Sequence, residues 1–412
     1  MALIVQKYGG TSVGDVDRIR NVARRVVASR EKGHQVVVCV SAMAGETNHL
    51  DALAREMCGD SPPEPREFDA LVSTGEQKTI ALLAMAIQGL GHSARSFTGG
   101  QMGMETDSSH TRARIQKIDT ERLRGFLDEG CVCVIAGFQG VDPGGSITTL
   151  GRGGSDTSAV AVAAALGADV CEIYTDVDGV YTADPRISEN ARKLSKISFE
   201  EMLELASLGA KVLQTRSVKF AMRYGVPIHV RSSFVSDDGT WIVPEEDVME
   251  RLVVSGVTSN VNEAKIRLRN VPDQPGIAVR LFTPLGEAGI VVDMIVQNFA
   301  NDGTTDMTFT VPRADYSRAL EIAQRVGDEL NSAAVEGDDG IAKVSIVGLG
   351  MKDHAGVATR MFDVLATENI NIQMISTSEI KISVVIEERF ADVAVRALHT
   401  ALVEESPTSP AS

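Results

Sequence analysis

The sequence predicts an α/β fold in which helices sandwich a parallel-rich sheet, followed by two smaller α+β units. Apolar runs of strand length alternate with stretches of helical spacing through residues 1–233, the mark of repeated βαβ units. Several of these strands, such as "HQVVVCVSAMAG" (34–45), are continuously apolar, as strands covered on both faces must be. Farther on, residues 274–297 align without a gap on residues 354–377, so one small unit occurs twice. At 412 residues the chain exceeds one ordinary domain.

"ALIVQKYGG" reads as a strand ending in a turn. In "VGDVDRIRNVARRVVASREKG", Ile19, Val22, Ala23, Val26 and Val27 recur at helical spacing and Gly33 stops the helix. The strand at 34–45 completes a βαβ unit. "TGEQKTIALLAMAIQGLG" (74–91) is expected as a helix entered from a glycine turn, and "CVCVIAGFQG" (131–140) as another core strand. "TSAVAVAAALGA" (157–168) is a helix of small residues, and "DVCEIYTDVDGV" (169–180) is a strand running into a loop. "VPIHVRSSF" (226–234) closes the domain as its final strand.

Residues 234–262, with the only tryptophan, read as a connector. The duplicated units are placed at 263–337 and 338–408. Gly276 pairs with Gly356, Phe282 with Phe362, Leu285 with Leu365, Ile290 with Ile370 and Met294 with Met374. Each copy reads as a glycine turn, an amphipathic helix and a strand. "TDMTFTVP" and "EIKISVVIEE" then add a half-exposed antiparallel strand to each.

Forty Lys and Arg stand against 56 Asp and Glu, a formal charge of −16, which argues against nucleic acid or an anionic membrane as the main partner. No apolar run approaches the ~18 residues of a membrane span and no targeting signal opens the sequence, so a cytosolic location is expected. The five cysteines, including the Cys131/Cys133 pair, fit reduced residues packed in a core better than a metal or redox site.

Three stretches carry chemistry. In "KYGGTS" (7–12) the lysine precedes the glycines, which fits neither a P-loop nor a dinucleotide fingerprint. The physics is shared nonetheless, because glycines let the backbone approach an anion and a following helix start offers free N–H groups. The competing reading is a structural turn beside a surface lysine. In "TTLGRGGSDTSAVAVAAALGA" (148–168), Arg152 stands among Gly151, Gly153 and Gly154. Its fork suits bidentate capture of a carboxylate or phosphate, whereas Asp156 would serve equally as an N-cap. "IYTDVDGVYTADPR" (173–186) has its glycine one place too early for a calcium loop and lacks the closing glutamate. It follows a strand's carboxyl end, where open α/β sheets bind ligands.

Taken in order, "KYGGTS", "VSAMAGETNHL" (40–50), "STGE" (73–76), "GRGGSD" (151–156) and "YTDVDGVYTADPR" (174–186) closely resemble the aspartate kinases of the amino acid kinase superfamily. "QPGI", "MIVQN" and "ISTSEIKIS" resemble that family's paired ACT regulatory units, which are ferredoxin-like. The resemblance implies transfer of the ATP γ-phosphoryl group, with MgATP as cofactor, to the side-chain carboxylate of L-aspartate. The product, 4-phospho-L-aspartate, leads to lysine, threonine and methionine. It implies Lys7, Ser41 and Asp156 at the transfer centre, with Thr47, Glu76, Phe138, Arg152 and Ser155 around aspartate. It further implies nucleotide contacts from Lys7, Gly9, Gly10, Thr175, Asp176, Tyr181, Asp184, Arg186, Lys211 and Val212. Lysine and threonine, singly or together, are the implied effectors. Their implied residues are Asp273, Gly276, Ile277, Ala278 and Gln297 in the first unit, and Asn371, Ile372, Thr377 and Glu379 in the second. A homo-oligomer through the ACT units is implied, and some relatives add a shorter regulatory subunit from an internal start, for which Met249 is suitably placed. Other kinases of the superfamily and a non-catalytic amino-acid sensor on the same fold are the alternatives.

Overall fold

The computed structural model describes residues 1–209, 212–248, 252–299 and 303–405. The chain forms two compact units, Met1–Tyr181 with Lys193–Met249, and Thr182–Arg192 with Glu250–Ser412.

The first unit is built on an eight-stranded sheet. Its strands run, edge to edge, Lys196–Ser198, Thr240–Val243, Ile228–Ser232, Val170–Thr175, Leu3–Tyr8, Gln35–Val40, Val132–Ala136 and Ala94–Phe97. From Ile228–Ser232 to Ala94–Phe97 every neighbouring pair is parallel. The chain begins at the centre with Leu3–Tyr8, builds outward through Gln35–Val40, then returns to place Val170–Thr175 on the other side. That reversal is a switch point, where the loops leaving adjacent strands part and open a crevice.

Alternation along Leu3–Tyr8 divides its side chains between two faces. Tyr8 joins a core with Val22 and Val26 of helix Val16–Glu31 and Leu83 and Ile87 of helix Thr74–Gln88. Lys7 points the other way, toward helix Gly154–Leu166. That helix is buried nearly all round, which its run of Ala, Ser, Val and Gly permits.

The structure corrects the sequence reading in several places. Helix Thr74–Gln88 is not entered from a glycine turn, since helix Pro65–Val72 leads into it through Ser73. Gly75 lies inside the helix, where an added Cβ would come within 2.8 Å of Ala42 Cβ. A separate four-stranded sheet, Ile115–Ile118, Met104–Thr106, Gln139–Val141 and Ile147–Thr149, was not expected at all. Ile228–Ser232 is not the last strand of its sheet, because Thr240–Val243 pairs back on it antiparallel.

In the second unit each repeat is a four-stranded antiparallel sheet with two helices. Helices Ile277–Glu287 and Val357–Thr367 follow Gly276 and Gly356, whose φ angles are 96° and 97°. The first sheet runs Ile295–Phe299, Thr304–Pro312, Glu263–Pro272, Ala334–Asp338. The second runs Met374–Thr377, Lys381–Glu387, Ile341–Val347, Gly256–Asn260. The second copy thus draws its fourth strand from residues preceding the first copy. The stretch assigned to a connector therefore supplies strands to two different sheets, Thr240–Val243 and Gly256–Asn260. No helix among the described residues is long and apolar enough to cross a membrane.

Candidate active site

The loops leaving Leu3–Tyr8, Gln35–Val40 and Val132–Ala136, with the starts of helices Thr74–Gln88 and Gly154–Leu166, line one cleft of about 380 Å³. It is lined by Lys7, Gly10, Ser41, Thr47, Glu76, Phe138, Arg152, Ser155 and Asp156, all read from the sequence as transfer-centre, substrate or phosphate residues.

Lys7 is 9% exposed, and its Nζ lies 2.6 Å from Asp156 Oδ1. Asp156 sits in the first turn of helix Gly154–Leu166 but is not its N-cap, which is Gly153, and its carboxylate pairs with the lysine instead. Beside them the backbone is kept bare. A Cβ on Gly10 would lie 3.0 Å from the Ala42 carbonyl oxygen, and one on Gly9 would lie 3.4 Å from Lys7 Nζ. Ammonium, glycine backbone and hydroxyls are a donor set for phosphate oxygens. The Ser41 N–H is held by the Tyr8 carbonyl at 3.1 Å, which fixes the loop after Gln35–Val40 against Lys7's own strand.

Glu76 is 3% exposed. One carboxylate oxygen accepts from the Ala42 N–H at 3.0 Å, while the other has no hydrogen-bond partner among the described residues. Burial pushes this carboxyl up to about 7, against the lowering effect of the Ala42 bond. A buried carboxylate oxygen facing a cleft without a donor awaits one from a ligand.

Arg152 is exposed and makes no ion pair with any described residue. Gly151 and Gly153 on either side have φ of 76° and 72°, a left-handed backbone that puts Arg152 at the tip of a sharp turn. Gly153 also packs so tightly on Gln214 that an added Cβ would stand 1.9 Å from Gln214 Cγ. Phe138 holds a φ of 69°, unusual for an aromatic residue, with its N–H bound to Ser158 Oγ and its carbonyl accepting from the Leu150 N–H. Cys39 lies beneath the site, and burial pushes its thiol well up, so it is no nucleophile.

The nucleotide residues are scattered. Thr175 ends the strand adjacent to Lys7's, Asp176 follows it, and Thr175 Oγ1 donates to Asp176 at 3.1 Å. Tyr181 donates to Asp178. Asp184 and Arg186 belong to the second unit and pair with each other at 2.6 Å. None of these lines the cleft, and neither does the partly buried Val212. Lys211 and Met249 lie outside the described residues. Sequence reading missed Gln214 and Asn48, both on the cleft wall. Gln214 is a helix N-cap without a side-chain cap bond, a weak signal on its own.

Of the residues that the resemblance implies for effectors, Ile277 is buried, Ile372 is half-buried and the others are exposed. Gly276, Ile277 and Ala278 form the start of helix Ile277–Glu287, and Gln297 and Thr377 stand on the edge strands of their sheets. Asp273, Asn371 and Ile372 fall in loops, and Glu379 pairs with Lys352 at 3.4 Å.

Comparison with known proteins places these features. Residues 2–232 match the amino acid kinase family, and residues 269–325 and 344–402 match an ACT domain. The chain is 59% identical to the aspartate kinase of Pseudomonas fluorescens over 99% of both chains. It superposes on E. coli aspartokinase III in complex with aspartate and ADP with a TM-score of 0.81, at 27% identity, covering 97% of this chain and 99% of that one. The same enzyme in complex with lysine and aspartate gives 0.76 at the same identity and coverage.

Proposed function

Because the chain belongs to the amino acid kinase family and carries paired ACT domains, we propose that it phosphorylates the side-chain carboxylate of L-aspartate with ATP. The product is 4-phospho-L-aspartate, and the reaction opens the synthesis of lysine, threonine and methionine, whose end products restrain the enzyme through the ACT domains. The relatives at high identity and the aspartate-bound neighbour support this substrate over the other kinases of the fold. The observation that carries the reading is the charge pattern of the cleft. Among the described residues, a buried glutamate oxygen without a partner and an arginine without an ion pair stand in the same cavity as a lysine held by one aspartate.

Aspartate brings one ammonium and two carboxylates, and the cleft offers a place for each. Glu76 takes the α-ammonium and the Arg152 fork takes the α-carboxylate. Thr47 and Phe138 bound the pocket, leaving the side-chain carboxylate to face Lys7. That nucleophile has a reference pKa near ~4 and is ionised at neutral pH, so no general base is needed. Phosphoryl transfer then asks for alignment and charge neutralisation. Lys7 draws the two anions together, Asp156 holds its ammonium in place, and Ser41 and Ser155 order the transfer centre. The bare backbone of Gly9 and Gly10 takes the phosphates. A magnesium ion arriving with the nucleotide would supply the remaining positive charge. Thr175, Asp176, Tyr181, Asp184, Arg186, Lys211 and Val212 take the rest of the nucleotide.

Lysine and threonine are the proposed effectors, at Asp273, Gly276, Ile277, Ala278 and Gln297 and at Asn371, Ile372, Thr377 and Glu379. Edge strands Ile295–Phe299 and Met374–Thr377 end their sheets with Ile295 and Ile375 exposed at 52% and 44%. Unpaired edges with exposed apolar residues suit pairing with a second copy, so a homo-oligomer through the ACT domains is part of the proposal. A shorter regulatory subunit would share that surface. A cytoplasmic setting, with no nucleic-acid or membrane partner, suits a reaction that draws on free aspartate and ATP.

Hydroxylamine trapping of the acyl phosphate tests the reading, with L-aspartate and L-glutamate in parallel, each with and without lysine plus threonine. Trapped product from aspartate alone, lost on adding the effectors, is expected. No product from aspartate would overturn the catalytic reading, and activity indifferent to both effectors would overturn the regulatory one.

A further inference from the structure

Arg152 sits at the tip of a turn closed by the Gly154 N–H donating to the Gly151 carbonyl at 2.9 Å. Two further anchors of the segment leading into that turn lie outside the cleft. Asp69, on helix Pro65–Val72, is fully buried and is not among the residues that line the cavity. Its carboxylate accepts from the Thr149 N–H at 3.1 Å and from Thr149 Oγ1 at 2.5 Å. It also accepts from the Thr111 N–H at 2.9 Å and meets His110 Nδ1 at 2.9 Å. One carboxylate thus binds two chain segments, the loop before Ile115–Ile118 and the strand Ile147–Thr149, whose last residue stands three places before Arg152.

Arg216, on helix Thr215–Tyr224, binds the same two segments from the other end. One guanidinium nitrogen donates to the Leu150 carbonyl and another to the Ala113 carbonyl, each at 2.9 Å. The Ala113 N–H in turn donates to the Thr149 carbonyl at 2.8 Å. Thr111 itself takes a left-handed φ of 68°, and a Cβ on Gly151 would meet its carbonyl oxygen at 3.0 Å. Thr149 and Leu150 are therefore fixed through backbone and side chain, and the left-handed turn begins at the next residue.

We propose that Asp69 and Arg216 are positioning residues for aspartate recognition: together they clamp Thr149 and Leu150 and so set where the Arg152 guanidinium stands. This rests on the reading of Arg152 as the partner of the substrate's α-carboxylate. Neither residue touches substrate. A carboxylate suits the Asp69 site because every group that reaches it is a donor or a ring nitrogen able to donate. An asparagine of the same shape would turn an amide N–H₂ toward some of these donors. Small displacements of a substrate-holding group carry large kinetic penalties, and here the displacement acts on aspartate alone.

The test uses the full chain with Asp69→Asn, Arg216→Met, Thr149→Val and Thr149→Ser, varying L-aspartate and ATP separately. Asp69→Asn and Arg216→Met are expected to raise KM for aspartate about tenfold or more, with KM for ATP within about twofold of the parent. Thr149→Val should raise the aspartate KM by a smaller factor, and Thr149→Ser, which keeps the hydroxyl, should restore it. An unchanged aspartate KM in Thr149→Val and Arg216→Met, or KM values for both substrates rising together, would overturn the proposal. If Asp69→Asn does not accumulate as folded protein, the Val and Ser pair at 149 decides. Arg152→Met, run alongside, separates the two levels. An aspartate KM unmoved by it would sink the reading of Arg152 itself, whereas a large rise there with none at 149 or 216 would sink only the clamp.

Discussion

Among the described residues two lysines are buried, one in each unit, and their surroundings differ in a way that suits one to the proposed chemistry and the other to architecture. Lys7 is 9% exposed and has a single carboxylate partner among the described residues, Asp156, with a cleft open beside it. Lys343, on strand Ile341–Val347, is 4% exposed and pairs with both Glu263, at 2.5 Å, and Asp293. Burial alone would depress the Lys343 ammonium, but the two carboxylates outweigh it and hold the group above its ordinary range. Its charge is saturated by protein. Lys7, beside its cleft, keeps bonding capacity in reserve, as its proposed role toward an incoming anion requires. A buried cation with one partner and a cavity is a working group, and one enclosed by two partners is a joint.

Exchanging the charge for an apolar chain at each site should break the comparison most sharply. Lys7→Met is expected to lower kcat by about 10³-fold or more, because charge neutralisation is the main task in phosphoryl transfer. Its stability loss should stay near ~1 kcal/mol, since water from the cleft reaches Asp156. Lys343→Met should show the converse. Uncompensated burial of Glu263 is expected to cost about 3 kcal/mol, read as a lower urea midpoint, with kcat in the absence of effectors largely kept. Equal stability losses in the two variants would dissolve the distinction.

A smaller effect falls on Glu76, whose carboxyl titrates near 7 in the free protein. Only its ionised form attracts an ammonium, so KM for aspartate should rise as pH falls below about 7, approaching tenfold per unit. Glu76→Gln should flatten that dependence. Stability should move oppositely. The folded carboxyl is raised above its unfolded value, so its stabilising contribution is complete at low pH and is lost as pH rises through about 7. A melting series in which Glu76→Gln removes this slope would confirm the assignment.

The smallest effect concerns the repeats. Lys265 and Lys343 hold matching places in the first strands of the two copies, and each reaches across to the other copy, Lys343 to Asp293 and Lys265 to Gln373. Asp293 and Gln373 are themselves eighty places apart in the aligned repeat, so one contact is charged and its counterpart is not. Gln373→Asp would make the two alike. Lys265 already has Asp338 at 3.4 Å, so the gain should be within about 0.5 kcal/mol.

What the sequence disclosed and what it hid follow from range. The long strands and helices of the first unit were legible, because apolar runs and helical spacing are local. Lys7 and Arg152 were legible for the same reason, each standing out against adjacent glycines. The small sheet bearing Thr149 was not, since strands as short as Met104–Thr106 and Gln139–Val141 offer too few residues to show alternation. Asp69 reads as one polar residue on a helix, and only the fold reveals the three donors, Thr111 N–H, Thr149 N–H and Thr149 Oγ1, and the His110 ring nitrogen gathered around it. The strand Gly256–Asn260 was hidden most completely. Its sequence, Gly-Val-Thr-Ser-Asn, is that of a linker, and its partner strand begins only after the whole first repeat.

That interleaved strand bears on how the chain is made. The second repeat owns a piece that leaves the ribosome before any part of the first, so it must wait, unpaired, while the first repeat is synthesised and closes on itself. Its own sheet can be sealed only when Ile341–Val347 arrives. A shortened product beginning beyond residue 260 would expose that strand's outer edge, whereas one beginning near residue 249 would carry the missing piece with it. The order of the strands along the chain therefore sets the latest point at which a free-standing regulatory fragment can start and still be whole.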